Sequence, residues 1–140
     1  FYLNELLVRL LQKGESNQEL FELYLNTLEQ LQQSGQVECV LRLFEKRLLA
    51  LLGFGLALQF EANTREPIEE DQYYRYEIES GFIRVHDQPI LTTDYSGDSL
   101  QALYREQLVT DEQKRDVKRL MRQVIGHYLG GKALKSRELF

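Results

Sequence analysis

Apolar residues recur at every third or fourth position through most of the first 52 residues, and this period restricts that part of the chain to helices. The apolar stripes predict helices at about 1–13, 16–34 and 37–52. Gly14 and Gly53 stand where the first and third stripes end, as expected of a residue that interrupts helices. Because the connections between these helices are short, the sequence predicts an antiparallel helical bundle.

The apolar period changes to two between residues 56 and 98. Tyr74, Tyr76 and Ile78 alternate with polar residues, which is the pattern of a strand with one buried face. We therefore expect a small β insert over about 56–98 within a mainly α fold. The predicted organisation is a single domain over 1–140.

Two more helices are predicted after the insert, at about 99–106 and 111–128. Thr110 and Gln113 have the three-residue spacing of a capping box, in which each side chain hydrogen-bonds the backbone N–H of the other residue. This pair predicts where the last helix begins.

Positive charge is concentrated in the last thirty residues, 111–140, which hold eight Lys and Arg against four acids. This segment carries +4 in a chain of net charge −5, so the first 110 residues carry −9. Cations in the first turns of a helix oppose its dipole, and a surface kept at that cost suggests a polyanionic partner, either a phosphate backbone or an acidic peptide. The alternative is that cations late in the helix only complement its dipole. The candidate residues for DNA or partner binding are Lys114, Arg115, Lys118, Arg119, Arg122, Lys132, Lys135 and Arg137.

The third predicted helix combines a broad apolar face with neighbouring cations. A hydrophobic groove rimmed by cations would suit a short acidic and apolar peptide that ends in a carboxylate. The alternative is an ordinary amphipathic helix with a charged outer face, and the spacing alone favours this alternative. The candidate residues for binding such a protein tail are Leu41, Arg42, Phe44, Lys46 and Leu48.

Motifs of the common catalytic and cofactor sites are missing from the sequence. It contains no P-loop, no G-x-G-x-x-G string after a strand and no H-E-x-x-H string. The single cysteine, Cys39, excludes an internal disulfide and a cysteine-cage zinc site, and it favours a reducing, cytoplasmic setting. The longest apolar run, eleven residues over 48–58, is too short to cross a membrane. We therefore expect no catalytic residues, no cofactor and no membrane partner, and an enzyme whose site lacks a sequence motif stays an alternative.

Three strings resemble the helical C-terminal part of the bacterial recombination mediator family RecO. They are YLNELLVRLL at 2–11, LRLFEKRLLALLGFGL at 41–56 and HYLGGKALKSRELF at 127–140. The resemblance covers nearly the whole chain, in the same order. It implies an N-terminal OB-fold domain in the complete protein, so we expect this chain, which starts at Phe1, to be a piece of a longer one.

The resemblance also implies a function, that of a non-enzymatic DNA-repair protein of the bacterial cytoplasm and nucleoid. Members of the family bind single- and double-stranded DNA, anneal complementary strands and work with RecR. They help RecA to displace the single-strand binding protein, whose acidic C-terminal tail docks on the helical domain.

Particular residues carry these implied roles. Arg42 occupies the arginine of the family's LRxFE string and is expected to pair with carboxylates of the tail. The cations of the GGKxLKSR string, Lys132, Lys135 and Arg137, are expected to contact DNA or a partner. A protein–protein scaffold that makes no contact with DNA stays the alternative.

One departure from the family concerns the insert. Many relatives carry a zinc finger there, with a CxxCG pair shortly after the LGF or LGY string. Glu61 and Thr64 stand where the thiolates would be, and the second pair is missing around 82–87. We therefore expect a degenerate, zinc-finger-like insert without a metal. The side chains expected to hold it by apolar packing are Tyr73, Tyr74, Tyr76 and Phe82.

Overall fold

A computed structural model describes Glu5 and residues 18–33, 35–86 and 89–129 of the chain. The helices in these residues are α1 (Gln18–Gln33), α2 (Val37–Leu51), α3 (Gly97–Arg105) and α4 (Asp111–Leu129), and the strands are β1 (Tyr73–Glu77), β2 (Gly81–Arg84) and β3 (Tyr95–Ser96). The predicted mainly α fold with a small β insert is therefore confirmed. The helix predicted at about 1–13 lies, except for Glu5, outside the described residues.

Contacts divide the chain into two compact units. The first, here called the helical unit, consists of Phe1–Gly55 with Met121–Phe140, and the second, the insert unit, is Leu56–Leu120. The predicted insert at 56–98 therefore shares its compact unit with α3 and the first half of α4. The single domain over 1–140 stays a prediction.

The helical unit is organised around the contact between α1 and α2. Leu20 of α1 is buried, and α2 buries the apolar stripe that its sequence period predicts. α2 ends at Leu51, and Gly53 follows with a φ of 89°, a left-handed conformation that glycine adopts without the steric cost that a Cβ would bring. In the second half of α4 the buried side chains are Met121, Val124 and Ile125.

A three-stranded antiparallel sheet forms the centre of the insert unit, in the order β2-β1-β3. Tyr74 of β1 pairs with Arg84 on one side and with Tyr95 on the other. Tyr74, Phe82 and Tyr95 are buried, and the Phe82 and Tyr95 rings meet edge to face with 6.4 Å between their centroids.

The predicted packing of four aromatic side chains needs one correction. Tyr74 and Phe82 are buried as expected, and the half-buried Tyr76 ring lies 5.0 Å from the Phe82 ring. The inclusion of Tyr73 was wrong, because its side chain is 37 % exposed. Successive residues of a strand point to opposite faces of a sheet, so Tyr73 cannot share the inner face with Tyr74.

Gly97, the first residue of α3, makes a close approach to the loop before β1. Its N–H donates a hydrogen bond to the Gln72 carbonyl oxygen at 2.8 Å, and a Cβ at this position would overlap the carbonyl oxygen of Glu69. Only glycine therefore fits at the start of α3 without moving that loop.

Glu61 holds the loop after Phe60 against β2 from a buried position. Its Oε1 accepts hydrogen bonds from the backbone N–H groups of Asn63 and Thr64, the latter at 2.8 Å, and its Oε2 accepts one from the Arg84 N–H at 3.2 Å. Burial opposes ionisation of the carboxyl, but these hydrogen bonds outweigh it and lower the pKa of Glu61 below its usual value of 4.5. The carboxylate thus ties together two segments that are more than twenty residues apart.

Metal binding by the insert is not decided by this arrangement. Within residues 18–33, 35–86 and 89–129, no group of three or more His, Cys, Asp or Glu side chains is placed to hold a metal ion. The metal-free state of the insert stays a prediction.

Replacing Glu61 by glutamine should destabilise the protein by about 1–3 kcal/mol, because hydrogen bonds to a charged acceptor are stronger than those to an amide oxygen. Since the folded-state pKa of Glu61 is lowered, its stabilising effect is present above the unfolded value of 4.5 and is lost as the pH falls through the folded-state pKa. The difference between variant and wild type, measured by urea unfolding, should therefore shrink below that pH. Glu66→Gln, at an exposed position of the same loop, is the control. Equal stability of Glu61→Gln and wild type at neutral pH would contradict this role.

Candidate DNA and partner-binding surfaces

The start of α4 is fixed by the predicted capping box, which the structure confirms. The Gln113 N–H donates to Thr110 Oγ1 at 3.1 Å, and the Thr110 N–H donates to Gln113 Oε1 at 3.1 Å. The amide of Gln113 also donates to Asp98 Oδ2 on α3 at 2.9 Å. These bonds set the rotation of α4, and with it the direction of its cations.

Three of the predicted binding residues form one side of the first turns of α4. Arg115 is exposed, and Lys114 and Lys118 are half-buried. Residues three and four positions apart lie on the same side of a helix, so these three side chains form a common surface, here called the basic face. The buried side chain of Val117 points to the core instead.

Of the remaining predicted cations outside the basic face, four lie in the second half of α4 or beyond its end in the sequence. Arg122 is exposed and belongs to the part of α4 that lies in the helical unit. The other three, Lys132, Lys135 and Arg137, lie outside the described residues. One contact near the end of α4 was not predicted from the sequence. The Phe54 ring stacks on the Tyr128 ring with 4.3 Å between their centroids.

Arg119 is engaged within the insert unit. Its guanidinium donates to the carbonyl oxygens of Thr93 and Asp94 at 2.6 and 3.0 Å and to Asp116 Oδ1 at 3.1 Å. It also lies over the Tyr95 ring, 4.2 Å from the centroid, in cation–π geometry. A contact between Arg119 and DNA stays a prediction, but it would cost several of these bonds, so we interpret this residue as structural.

Two acids complete this polar cluster. Asp94 accepts two hydrogen bonds from Arg75, at 2.9 and 3.1 Å, and one from the Leu91 N–H at 2.8 Å. The bonds from Arg75 are the main reason why the pKa of Asp94 is lowered. Asp116 accepts a hydrogen bond from Ser99 Oγ at 2.8 Å and thereby ties α4 to α3. The cluster fixes the segment before β3 from both sides.

Arg119→Ala should therefore destabilise the protein, whereas Arg115→Ala should not. Loss of the hydrogen bonds to the Thr93 and Asp94 carbonyl groups and of the ring contact should cost about 1–3 kcal/mol. Exposed substitutions usually stay within about 0.5 kcal/mol. Chemical unfolding of the two variants gives the comparison. Equal stability of the two would refute the structural interpretation of Arg119.

On α2, the apolar residues predicted to line a groove belong to the core. Leu41, Phe44 and Leu48 are buried. These three side chains are therefore not exposed on the surface of α2, and a groove that would bind a tail stays a prediction. The physical reason is that their three- and four-residue spacing places them on the stripe that packs inward. Their part in binding a protein tail stays a prediction.

The two predicted cations of this helix lie at the border of the core. Arg42 is buried, with its Nε 2.7 Å from Oε1 of Glu45, one turn further along the helix. Lys46, four residues after Arg42, is half-buried. The helix thus presents its cations beside the core stripe, and Arg42 contacts an acid that sequence reasoning did not single out.

The described helices were compared with the requirements of a membrane-spanning helix. None of them combines the length and the apolar character that a membrane span requires.

One protein family and its members are similar to this chain over nearly its whole length. The family model described as Recombination protein O C terminal matches residues 1–138. The DNA repair protein RecO of Nitrosococcus oceani is 43% identical over 139 residues, which are 99% of this chain and 56% of the relative. That of Methylococcus capsulatus is 42% identical over 140 residues, 100% of this chain and 57% of the relative. That of Coxiella burnetii is 42% identical over 139 residues, 99% of this chain and 59% of the relative.

The relatives are DNA-repair proteins, and the family match extends from one end of the chain almost to the other. The chain belongs to the RecO family and corresponds to its C-terminal part. It spans 56–59% of the length of these three relatives.

Proposed function

We propose that this chain is a non-catalytic, cytoplasmic mediator domain for DNA repair and homologous recombination. In this proposal it binds single- and double-stranded DNA without sequence preference and binds the acidic C-terminal tail of the single-strand binding protein. Together with RecR it promotes the loading of RecA and the annealing of strands. Membership of the family of DNA-repair proteins supports the general role.

The observation that carries the DNA contact is the basic face of α4. Its three cations share one side of a helix whose start is fixed by a capping box, so they can approach neighbouring phosphates together. Such a contact depends on the charge of the DNA backbone and not on the base sequence, because hydrogen bonds to phosphate carry no sequence information.

One observation favours a second candidate function. The chain carries a net charge of −5, which opposes association with DNA outside the basic face. In this alternative the chain is a protein–protein scaffold, and the basic face holds a partner subunit. A titration with DNA at low salt separates the two functions, since a scaffold should not bind.

Replacing Lys114 and Arg115 by alanine should weaken binding to DNA of any sequence and reduce its dependence on salt. The slope of log affinity against log salt is negative. With two fewer phosphate contacts it should become less steep by about 1.4 for single-stranded DNA and about 1.8 for double-stranded DNA. Fluorescence polarisation with labelled oligonucleotides over a series of salt concentrations measures this slope.

The matched control for this experiment is Arg47→Ala with Arg105→Ala. It removes the same charge from exposed positions outside the basic face. An equal loss of affinity in the control would assign the effect to net charge alone. Binding that does not respond to salt would contradict an electrostatic contact.

For the protein tail we propose that Arg42 pairs with a carboxylate of the ligand and that Lys46 provides a second cation. Support comes from their positions on α2, where residues four apart lie on the same side of the helix. Arginine can also bind a carboxylate through two parallel hydrogen bonds. Because Arg42 is buried, a ligand must first uncover it, and we therefore expect moderate affinity.

Arg42→Ala should weaken binding of a labelled tail peptide by about tenfold or more, as expected for the loss of a charge-assisted hydrogen bond. Fluorescence polarisation measures the affinity, and a melting curve checks that the variant is folded. Arg47→Ala, which removes an exposed cation from the same helix, is the control. Undiminished affinity in folded Arg42→Ala would remove this residue from the tail site.

A further inference from the structure

The contact between Arg42 and Glu45 is unusual because both charged side chains are removed from solvent. The Arg42 side chain is 7 % exposed and that of Glu45 is 3 % exposed, with 2.7 Å between Nε and Oε1. The two residues are three positions apart on α2, so they meet across a single helical turn.

The geometry of this contact is poor for its environment. Although the Nε atom is close to the Glu45 oxygen, its N–H is not aligned for a hydrogen bond with that oxygen or with another acceptor in the part of the chain that the structure describes. A buried ion pair offsets its loss of hydration only when its hydrogen bonds are well made. The pair therefore keeps Arg42 neutralised and leaves part of its hydrogen-bonding capacity unused.

We infer that Glu45 is an internal competitor for the tail site. Its carboxylate lies against Arg42 where the carboxylate of an acidic, C-terminal peptide would bind, so the ligand has to displace it. This inference rests on the proposed tail binding and adds the residue that sets its affinity.

In this exchange Arg42 keeps one carboxylate partner, and the released Glu45 side chain has to turn toward solvent. The ligand brings one carboxylate to Arg42 and releases another, so the buried guanidinium keeps a counter-ion throughout. A ligand that approaches from outside the helix is free to align two oxygens with the guanidinium, whereas Glu45 is limited by its position on the same helix. Lys46, at the next position along the chain and half-buried, can attract the acidic ligand in either state.

The test is the affinity of a labelled acidic peptide with a free C-terminal carboxylate for Glu45 variants of the whole chain. Glu45→Gln removes the competing charge with little change of shape, and it should bind the peptide about tenfold more tightly than wild type does. A purely structural role for Glu45 would give weaker or equal binding. Glu45→Asp, which keeps the charge, should remain close to wild type.

Two controls separate competition at Arg42 from other effects. Glu66→Gln removes an exposed negative charge from a loop outside α2 and should leave the affinity unchanged. In an Arg42→Ala background, Glu45→Gln should lose its advantage, because no cation remains to be released. Glu45→Met is the second variant to measure if Glu45→Gln proves unfolded in a melting experiment, since apolar residues can replace buried ions without loss of stability.

The outcomes distinguish this inference from the proposed function. If Arg42→Ala weakens binding but neutral Glu45 variants do not strengthen it, the competitor role is wrong and the tail site stands. If the neutral variants strengthen binding equally with and without Arg42, the competitor role is also wrong. If neither wild type nor a neutral variant binds the peptide, both proposals are wrong.

Discussion

The insert unit depends on carboxylates that are bonded to backbone and arginine groups inside the fold. Glu61 fixes a loop to β2, Asp94 fixes the segment before β3, and Asp116 fixes α3 to α4. The sheet itself is small, since β3 has only two residues. The polar clusters hold the loops around this sheet, and the buried side chains of Tyr74, Phe82 and Tyr95 supply its apolar packing.

The chain's net charge includes charged groups that are buried or occupied inside the molecule. The value of −5 counts Glu45, Glu61 and Asp94, which are buried, as if they belonged to the surface. It also counts Arg42 and Arg119, which are occupied by contacts within the molecule. Without these five groups the sum changes only from −5 to −4, so a polyanion would be attracted by a local cluster of cations such as the basic face and not by the molecule as a whole.

Features that depend on residues close together in the sequence could be predicted from it, and features that depend on distant residues could not. Helices α1 and α2 and the Thr110–Gln113 capping box depend on residues three or four positions apart, so the sequence period and spacing predict them. The bonds of Glu61 to Arg84 and of Arg75 to Asp94 join residues 23 and 19 positions apart, and no local pattern predicts them. The sequence therefore places Arg119 among the candidate binding residues, whereas the structure shows its guanidinium hydrogen-bonded within the insert unit.

The candidate tail site shows a different limit. An apolar stripe on a helix has the same sequence whether it lines an open groove or packs into a core, and on α2 it packs into the core. Tyr73 is a different case, since the alternation of Tyr74, Tyr76 and Ile78 already places it on the opposite face of the strand.

The way in which Glu61 holds its loop has a consequence for how this protein can vary between species. Its backbone donors, at Asn63, Thr64 and Arg84, are main-chain N–H groups that every amino acid except proline provides. These three backbone bonds are therefore available to any residue except proline at positions 63, 64 and 84, as long as the acid at position 61 is kept. A loop held in this way keeps its shape when its exposed residues change.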